Sequence, residues 1–381
     1  MIDPHTSEAE RYWDPRHPVL EILRRRRSTG SRPGARDDSA KIALTVSGGG
    51  MRGAISAAMC TQIDDSGFKD AFDVVYGCSS GAINAAYFVA QTSRTCWYPL
   101  SIYYDDLSTK KFIDYRRVLR GNSILDLDYV FDELLDSLKP LNLQAIIDSP
   151  VPLVVSVTDV DTQKTITVRD FATAVELKTM LHAGARLPLA VKGMTEVGGR
   201  RLLDGALLTP LPFRLAVEDG CTHVLSLSTH RMIDSHRIPR PVRPTSLGHH
   251  AYSGYLERIQ RGLGTAYLSA VRQRQCDREW LTRQRFATSA DGPHVLDLAP
   301  LPWMRDIRLY QCDPGAVFEG IRDAYAVAHC ATEGVSTGRI RDGLIRAMPK
   351  MAMIDSHAAA SFTQRRRLPP SEPAPASELS A

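Results

Sequence analysis

Apolar residues in the first half of the chain alternate between two spacings. Lys41–Val46 (KIALTV) and Phe72–Tyr76 (FDVVY) are short, nearly continuous apolar runs, as expected of buried strands. Between them Met51, Ile55, Met59 and Ile63 recur at near-helical spacing, and Gly67 is placed to stop that helix. The alanine-rich stretch Ser80–Ala90 predicts a second helix. Strand and helix patterns go on alternating to about residue 230. A later strand is expected at His294–Leu298, and a helix from Pro314 to about Glu333. Such a chain folds around a central, mostly parallel sheet flanked by helices, an α/β architecture. No internal repeat interrupts the pattern.

The turns between these elements carry the chemistry. Gly77-Cys78-Ser79-Ser80-Gly81 joins the second strand to its helix in the G-x-S-x-G frame of a nucleophile elbow. Such a turn strains the serine backbone so that the Ser79 hydroxyl stands clear, and glycine two positions either side avoids a collision. The helix beginning at Ser80 points its first N–H groups toward charge developing on a substrate oxygen. Upstream, Gly48-Gly49-Gly50-Met51-Arg52-Gly53 follows the first strand. Its consecutive glycines offer backbone N–H groups as an anion-binding nest. Arg52 would either brace that loop or add positive potential. A third element, Asp204-Gly205-Ala206, supplies a carboxylate in a tight turn.

The first loop also imitates a dinucleotide fingerprint: Gly48, Gly50 and Gly53 fit G-x-G-x-x-G, and Asp73 falls at the distance of a ribose-binding acid. That acid should end its strand, however, and Asp73 begins one whose far end is the Ser79 elbow. A phosphate-binding P-loop lacks its Gly-Lys-Ser/Thr. Cys78 neighbours the presented serine and reads as a packing residue.

With these residues in place, the chain resembles the patatin-like phospholipases over roughly residues 40–335. The family's G-G-G-x-R-G loop, G-x-S-x-G elbow and D-G-A motif stand here as Gly48–Gly53, Gly77–Gly81 and Asp204–Ala206. Pro152–Asp161, Leu203–Pro212 and Gly220–Ser228 match its looser pattern. Ser47, where many relatives carry an acid, and Gly184, where relatives often have serine, depart from it. The resemblance implies the patatin three-layer fold. It also implies a Ser79–Asp204 dyad without histidine, acting on carboxylic esters of lipids, phospholipids or lysophospholipids first. An α/β-hydrolase triad is the rival among enzymes, because His223, His230, His236, His249 and His250 follow Asp204. The short stretch between Gly50 and Ser79, with room for one helix and one strand, speaks against it. A lipid-binding or partner-regulated module without catalysis is the alternative of another class.

Composition narrows the setting. Of 381 residues 43% are hydrophobic and 24% charged, with net charge +4, ordinary for a globular chain. No apolar run is long enough for a transmembrane helix, and the polar N-terminus has no signal core. Seven cysteines without paired spacing suit a reducing compartment, so a cytoplasmic protein, peripheral to membranes at most, is expected. No metal constellation or cofactor motif is present; the acid pairs Asp126/Asp128 and Asp159/Asp161 lack calcium-loop spacing. Residues 1–40, with Arg24–Arg27, read as a loosely ordered basic extension before a catalytic domain at 41–335. Residues 336–381 read as a helix and a Pro/Ala/Ser-rich tail carrying Arg365–Arg367. These arginines would attract anionic head groups or merely be solvated. Nucleic acid is not expected, since no aromatics interleave with them. Two basic amphipathic stripes, Leu256–Val271 and Ile340–Met348, would pack on the core or lie at an interface.

Overall fold

A computed structural model describes residues 12–90, 97–233, 245–287 and 292–341. Eight strands form one sheet: β1 (Ile42–Val46), β2 (Val74–Cys78), β3 (Leu153–Asp159), β4 (Lys164–Val168), β5 (Thr195–Val197), β6 (Arg200–Asp204), β7 (His223–Leu227) and β8 (His294–Leu298). Seven helices matter here: α1 (Pro18–Thr29), α2 (Gly53–Asp65), α3 (Ser80–Ala90), α4 (Ala174–Gly184), α5 (Leu247–Ile259), α6 (Leu263–Gln284) and α7 (Pro314–Glu333). The strand order is β5-β6-β3-β2-β1-β7-β8, with β4 also on β3. Pairings β2–β3, β1–β2, β1–β7 and β7–β8 are parallel, and those among β3, β4, β5 and β6 are antiparallel.

Alternation along the strands sorts side chains into two cores. Ile42, Leu44 and Val46 of β1, Val75 of β2 and Leu225 and Leu227 of β7 pack with α2, α3, α4 and α7. Ala43, Val74, Tyr76, Val224 and Val295 point the other way, toward Phe213, Ala216 and Leu281 of α6. The sheet is therefore the middle of three layers, and all five β1 positions are buried.

Three expectations need correction. First, residues 12–40 are folded onto the body. α1 contributes Val19, Leu20 and Leu23 to the core, and Arg26, 1% exposed, binds Asp38 (2.7 Å) and Asp73 (2.8 Å) and donates to the Ala71 and Ala40 carbonyls. Arg24 donates to the Pro15, Ala331 and Thr332 carbonyls, and Arg27 pairs with Glu333. The run Arg24–Arg27 is thus a clamp between termini, not a free basic patch. Second, β2 starts at Val74 rather than Phe72, because the Asp73 carboxylate is occupied by Arg26, Arg36 and the Ile42 N–H. Third, the 256–271 stripe spans two helices. Gly262 takes φ +92°, and Glu257 accepts from the Gly262 and Thr265 N–H groups, so the chain turns there. Leu256 and Leu263 are fully buried in a small core with Val160 and Leu203. The stripe at Leu344–Met348 and Arg365–Arg367 lie outside the described residues.

Candidate active site

β2 and β6 deliver the two motif residues to adjacent rungs of β3. Cys78 pairs with Ser156, and Asp204 pairs with Val157. Ser79 follows Cys78 directly, so the elbow and the carboxylate meet although they lie 125 positions apart. The Ser79 Oγ donates to Asp204 Oδ2 at 2.7 Å. Ser79 has φ +56°, a left-handed conformation unusual for a side chain bearing Cβ, and costing roughly 1–3 kcal/mol. The surrounding fold holds that strain, because the strand–turn–helix leaves little other room. A Cβ on Gly77 would sit 2.4 Å from Ala82 Cα, and one on Gly81 2.4 Å from the Val46 carbonyl oxygen.

Asp204 is 1% exposed. Oδ1 accepts from the Ala206 N–H at 2.8 Å, and Thr158 Oγ1 donates to the Asp204 carbonyl at 2.9 Å, fixing the turn. Gly205 passes so close to β3 that a Cβ would lie 2.3 Å from the Ser156 carbonyl oxygen. Burial pushes the Asp204 carboxyl up to about 7, against the two hydrogen bonds it accepts. Cys78 is fully buried, its Sγ beside the Thr209 carbonyl at 3.3 Å, and burial pushes its thiol up; it packs.

The glycine loop lies against the elbow: a Cβ on Gly48 would be 2.5 Å from the Cys78 carbonyl oxygen. Ser80 stitches the loops together. Its Oγ accepts from the Gly49 N–H and donates to the Gly50 carbonyl, both at 3.1 Å. The Gly49 donor is therefore occupied. Gly53 is the first residue of α2 and donates back to Gly50 and Met51; a Cβ there would strike Tyr103 and Ser80. It is a packing glycine rather than a member of an anion nest. The Gly50 N–H, at φ +58°, has no acceptor among the described residues.

Sequence reasoning missed several supports. Thr229 Oγ1 donates to the Gly48 carbonyl at 2.7 Å, and the Met51 N–H donates to the Leu309 carbonyl at 3.1 Å. Asn84 donates to the Gly53 carbonyl and accepts from Tyr103. All three partners come from distant segments, and no local pattern marks them.

Ser79 and Asp204 line two spaces. One is a cavity of about 520 Å³ walled by Gly48–Gly50, His230, Tyr252, Tyr267 and several arginines. The other, about 60 Å³, is bounded by Ile83, Tyr87, Phe112, Leu127, Leu135 and Leu187 and is almost wholly apolar. His249 bonds Tyr267 (2.6 Å) and His223 bonds Thr222 (2.9 Å). Among the described residues no histidine hydrogen-bonds Ser79; His236 lies outside them. Burial first, then Arg52, Arg278 and Arg274, push His230 down to about 3. The described residues include no His/Cys/Asp/Glu group arranged to hold a metal, and no helix long and apolar enough to cross a membrane.

A sheet that presents a strained serine to a buried carboxylate, beside a glycine loop, defines an α/β protein with a hydrolase-like site. Residues 44–217 match the family described as patatin-like phospholipase, and that stretch contains all three motifs. The crystal structure of VipD from Legionella pneumophila superposes with a TM-score of 0.38 at 11% identity, over 86% of this chain and 76% of that one. A search of curated proteins finds no match.

Proposed function

We propose that the protein is a serine acyl hydrolase that cleaves carboxylic esters of lipids, with Ser79 as nucleophile and Asp204 as general base. The observation that carries this is the 2.7 Å hydrogen bond from Ser79 to a carboxylate held near neutrality, at the junction of a polar cavity and an apolar one. Asp204 takes the hydroxyl proton as Oγ attacks the ester carbonyl carbon. The Gly50 N–H and the N-terminus of α3 stabilise the oxyanion. Collapse of the tetrahedral species expels the alcohol, which leaves with the proton from Asp204. Asp204 then deprotonates a water that hydrolyses the acyl-Ser79 ester, and the proton returns to Oγ. The apolar space suits the acyl chain, and the larger cavity the alcohol portion.

The family's description supports a lipid ester as substrate. A fluorophosphonate probe tests the chemistry directly. It should label Ser79 in the wild type, with labelling lost in Ser79→Ala and strongly reduced in Asp204→Asn. A protein that binds lipid vesicles but shows neither labelling nor Ser79-dependent turnover would be a non-catalytic module instead.

A further inference from the structure

We propose that Arg274 and Arg278, together with Arg52, form an anion subsite in the Ser79 cavity that seats a phosphomonoester head group, so that the substrate is a phosphatidate-type lipid. This rests on the hydrolase reading above.

Arg274 and Arg278 lie four residues apart on α6, hence on one helix face, and Arg52 comes from the glycine loop; all three line the same 520 Å³ cavity as Ser79 and Asp204. Among the described residues none of the three has a salt bridge. Arg52 Nε is buried without a hydrogen-bond partner, and among the described residues the Arg278 guanidinium donates only to the Arg231 carbonyl. Among the described residues the two carboxylates lining the cavity are taken: Asp204 by Ser79, and Asp297 by Arg285, Ser226 and Ser228. Asp306 is exposed; it favours the charged form of Arg52 and, less strongly, of Arg278, but forms no salt bridge with either among the described residues. Arg274 depresses the proton affinity of both of the other guanidinium groups, so it repels each of them. Partly buried like charges without a counter-ion are costly unless a ligand supplies it.

The guanidinium fork matches phosphate oxygens bidentately. Three of them favour a dianion over a carboxylate or a phosphodiester. The cationic walls disfavour choline or ethanolamine, because among the described residues no free acid lines the cavity to receive the ammonium. A cavity of this size holds a glycerophosphate. Arg274 and Arg278 lie beyond the stretch that matches the family, so this wall belongs to the chain's own C-terminal part.

The test compares kcat/KM on phosphatidate, phosphatidylcholine and diacylglycerol with identical acyl chains. Mixed micelles with the substrate dilute in a large excess of anionic detergent make the substrate's own contribution to surface charge negligible. The wild type should prefer phosphatidate at least tenfold over both others. Arg274→Gln, and independently Arg278→Gln, should lower the phosphatidate-to-diacylglycerol ratio about ten- to a hundredfold, the loss expected for one charge-assisted contact. An unchanged ratio in folded variants, or a wild-type preference for phosphatidylcholine, overturns the proposal. Inorganic phosphate separates the sources. It should compete in the wild type and weakly in Arg274→Gln; competition without preference among the lipids means the site holds free phosphate and sinks the lipid assignment. If no ester is turned over at all, the hydrolase reading fails by itself. Phosphate should then still raise the wild-type Tm and leave that of Arg274→Gln unmoved, and equal shifts in both would sink the anion subsite.

Discussion

In the clamp around α1, each arginine of the run meets an acceptor. Arg26 bridges Asp38 and Asp73, Arg24 reaches three carbonyls, and Arg27 pairs with Glu333 above the Phe68 ring. Around the cavity a buried carboxyl and half-buried guanidinium groups have little to balance them: among the described residues the Asp204 carboxyl accepts two hydrogen bonds, and Arg52 and Arg274 have no salt-bridge partner. The contrast separates two uses of buried charge. Where partners converge, ionisation is fixed and the group serves the fold. Where they are withheld, the charge remains available to a proton or a ligand, at a cost the rest of the structure carries.

Disabling the reactive region should give the largest effect. Ser79→Ala and Asp204→Asn are each expected to lower lipid-ester turnover about 10⁴-fold or more, while circular dichroism stays native. Turnover near wild type, once contaminating esterases are excluded, would break the comparison at its centre. Next comes the clamp. Arg26→Met leaves Asp38 and Asp73 without their buried cation and should cost about 3–5 kcal/mol in denaturant unfolding, with kcat/KM retained while the protein is folded. An equal loss of activity below the unfolding transition would show that the clamp reaches the site.

A third experiment sharpens the contrast through pH. Asp204 must be ionised to act as base, so kcat/KM should rise through an apparent pKa of about 7 and level off above it. The stability sign runs the other way. A carboxyl whose folded value is raised above its ordinary one binds its proton more tightly in the folded state. Its contribution is complete at low pH and is lost as pH climbs through about 7. Asp204→Asn should therefore raise Tm relative to wild type by about 5 °C at pH 8, by less at pH 5, and by little below the ordinary carboxyl value of 3.8. A variant less stable than wild type at pH 8 would contradict the burial argument. The smallest effect belongs to the rim of the clamp. Arg25 is 53% exposed beside Asp38, so Arg25→Gln should cost no more than about 1 kcal/mol. A loss as large as that for Arg26→Met would erase the distinction between rim and centre.

Much of this was legible in the residues themselves. Strand and helix spacing anticipated the β1–α2–β2–α3 unit, β8 and α7. The glycines flanking Ser79 anticipated the elbow, because backbone geometry at a tight turn is a local constraint. Gly49 and Gly53 read as anion-nest donors, but the Gly49 N–H donates to Ser80 and Gly53 packs against Tyr103, partners that come from other segments. Likewise the basic stripe at Leu256–Val271 left core packing and an interface both open, since helical periodicity fixes a face but not what lies opposite it.

The sequence by itself determined the order of strands and helices, the strained turn at Ser79 and the presence of an Asp-Gly-Ala turn, all set by sterics acting over a few residues. Only the tertiary structure decided that β3 brings Asp204 to Ser79, that Arg24–Arg27 are consumed in a clamp, and that Arg274 faces the cavity with no salt-bridge partner among the described residues. Charge state and availability depend on burial and on partners far along the chain, and those are fixed only when the sheet and its two helical layers close around them.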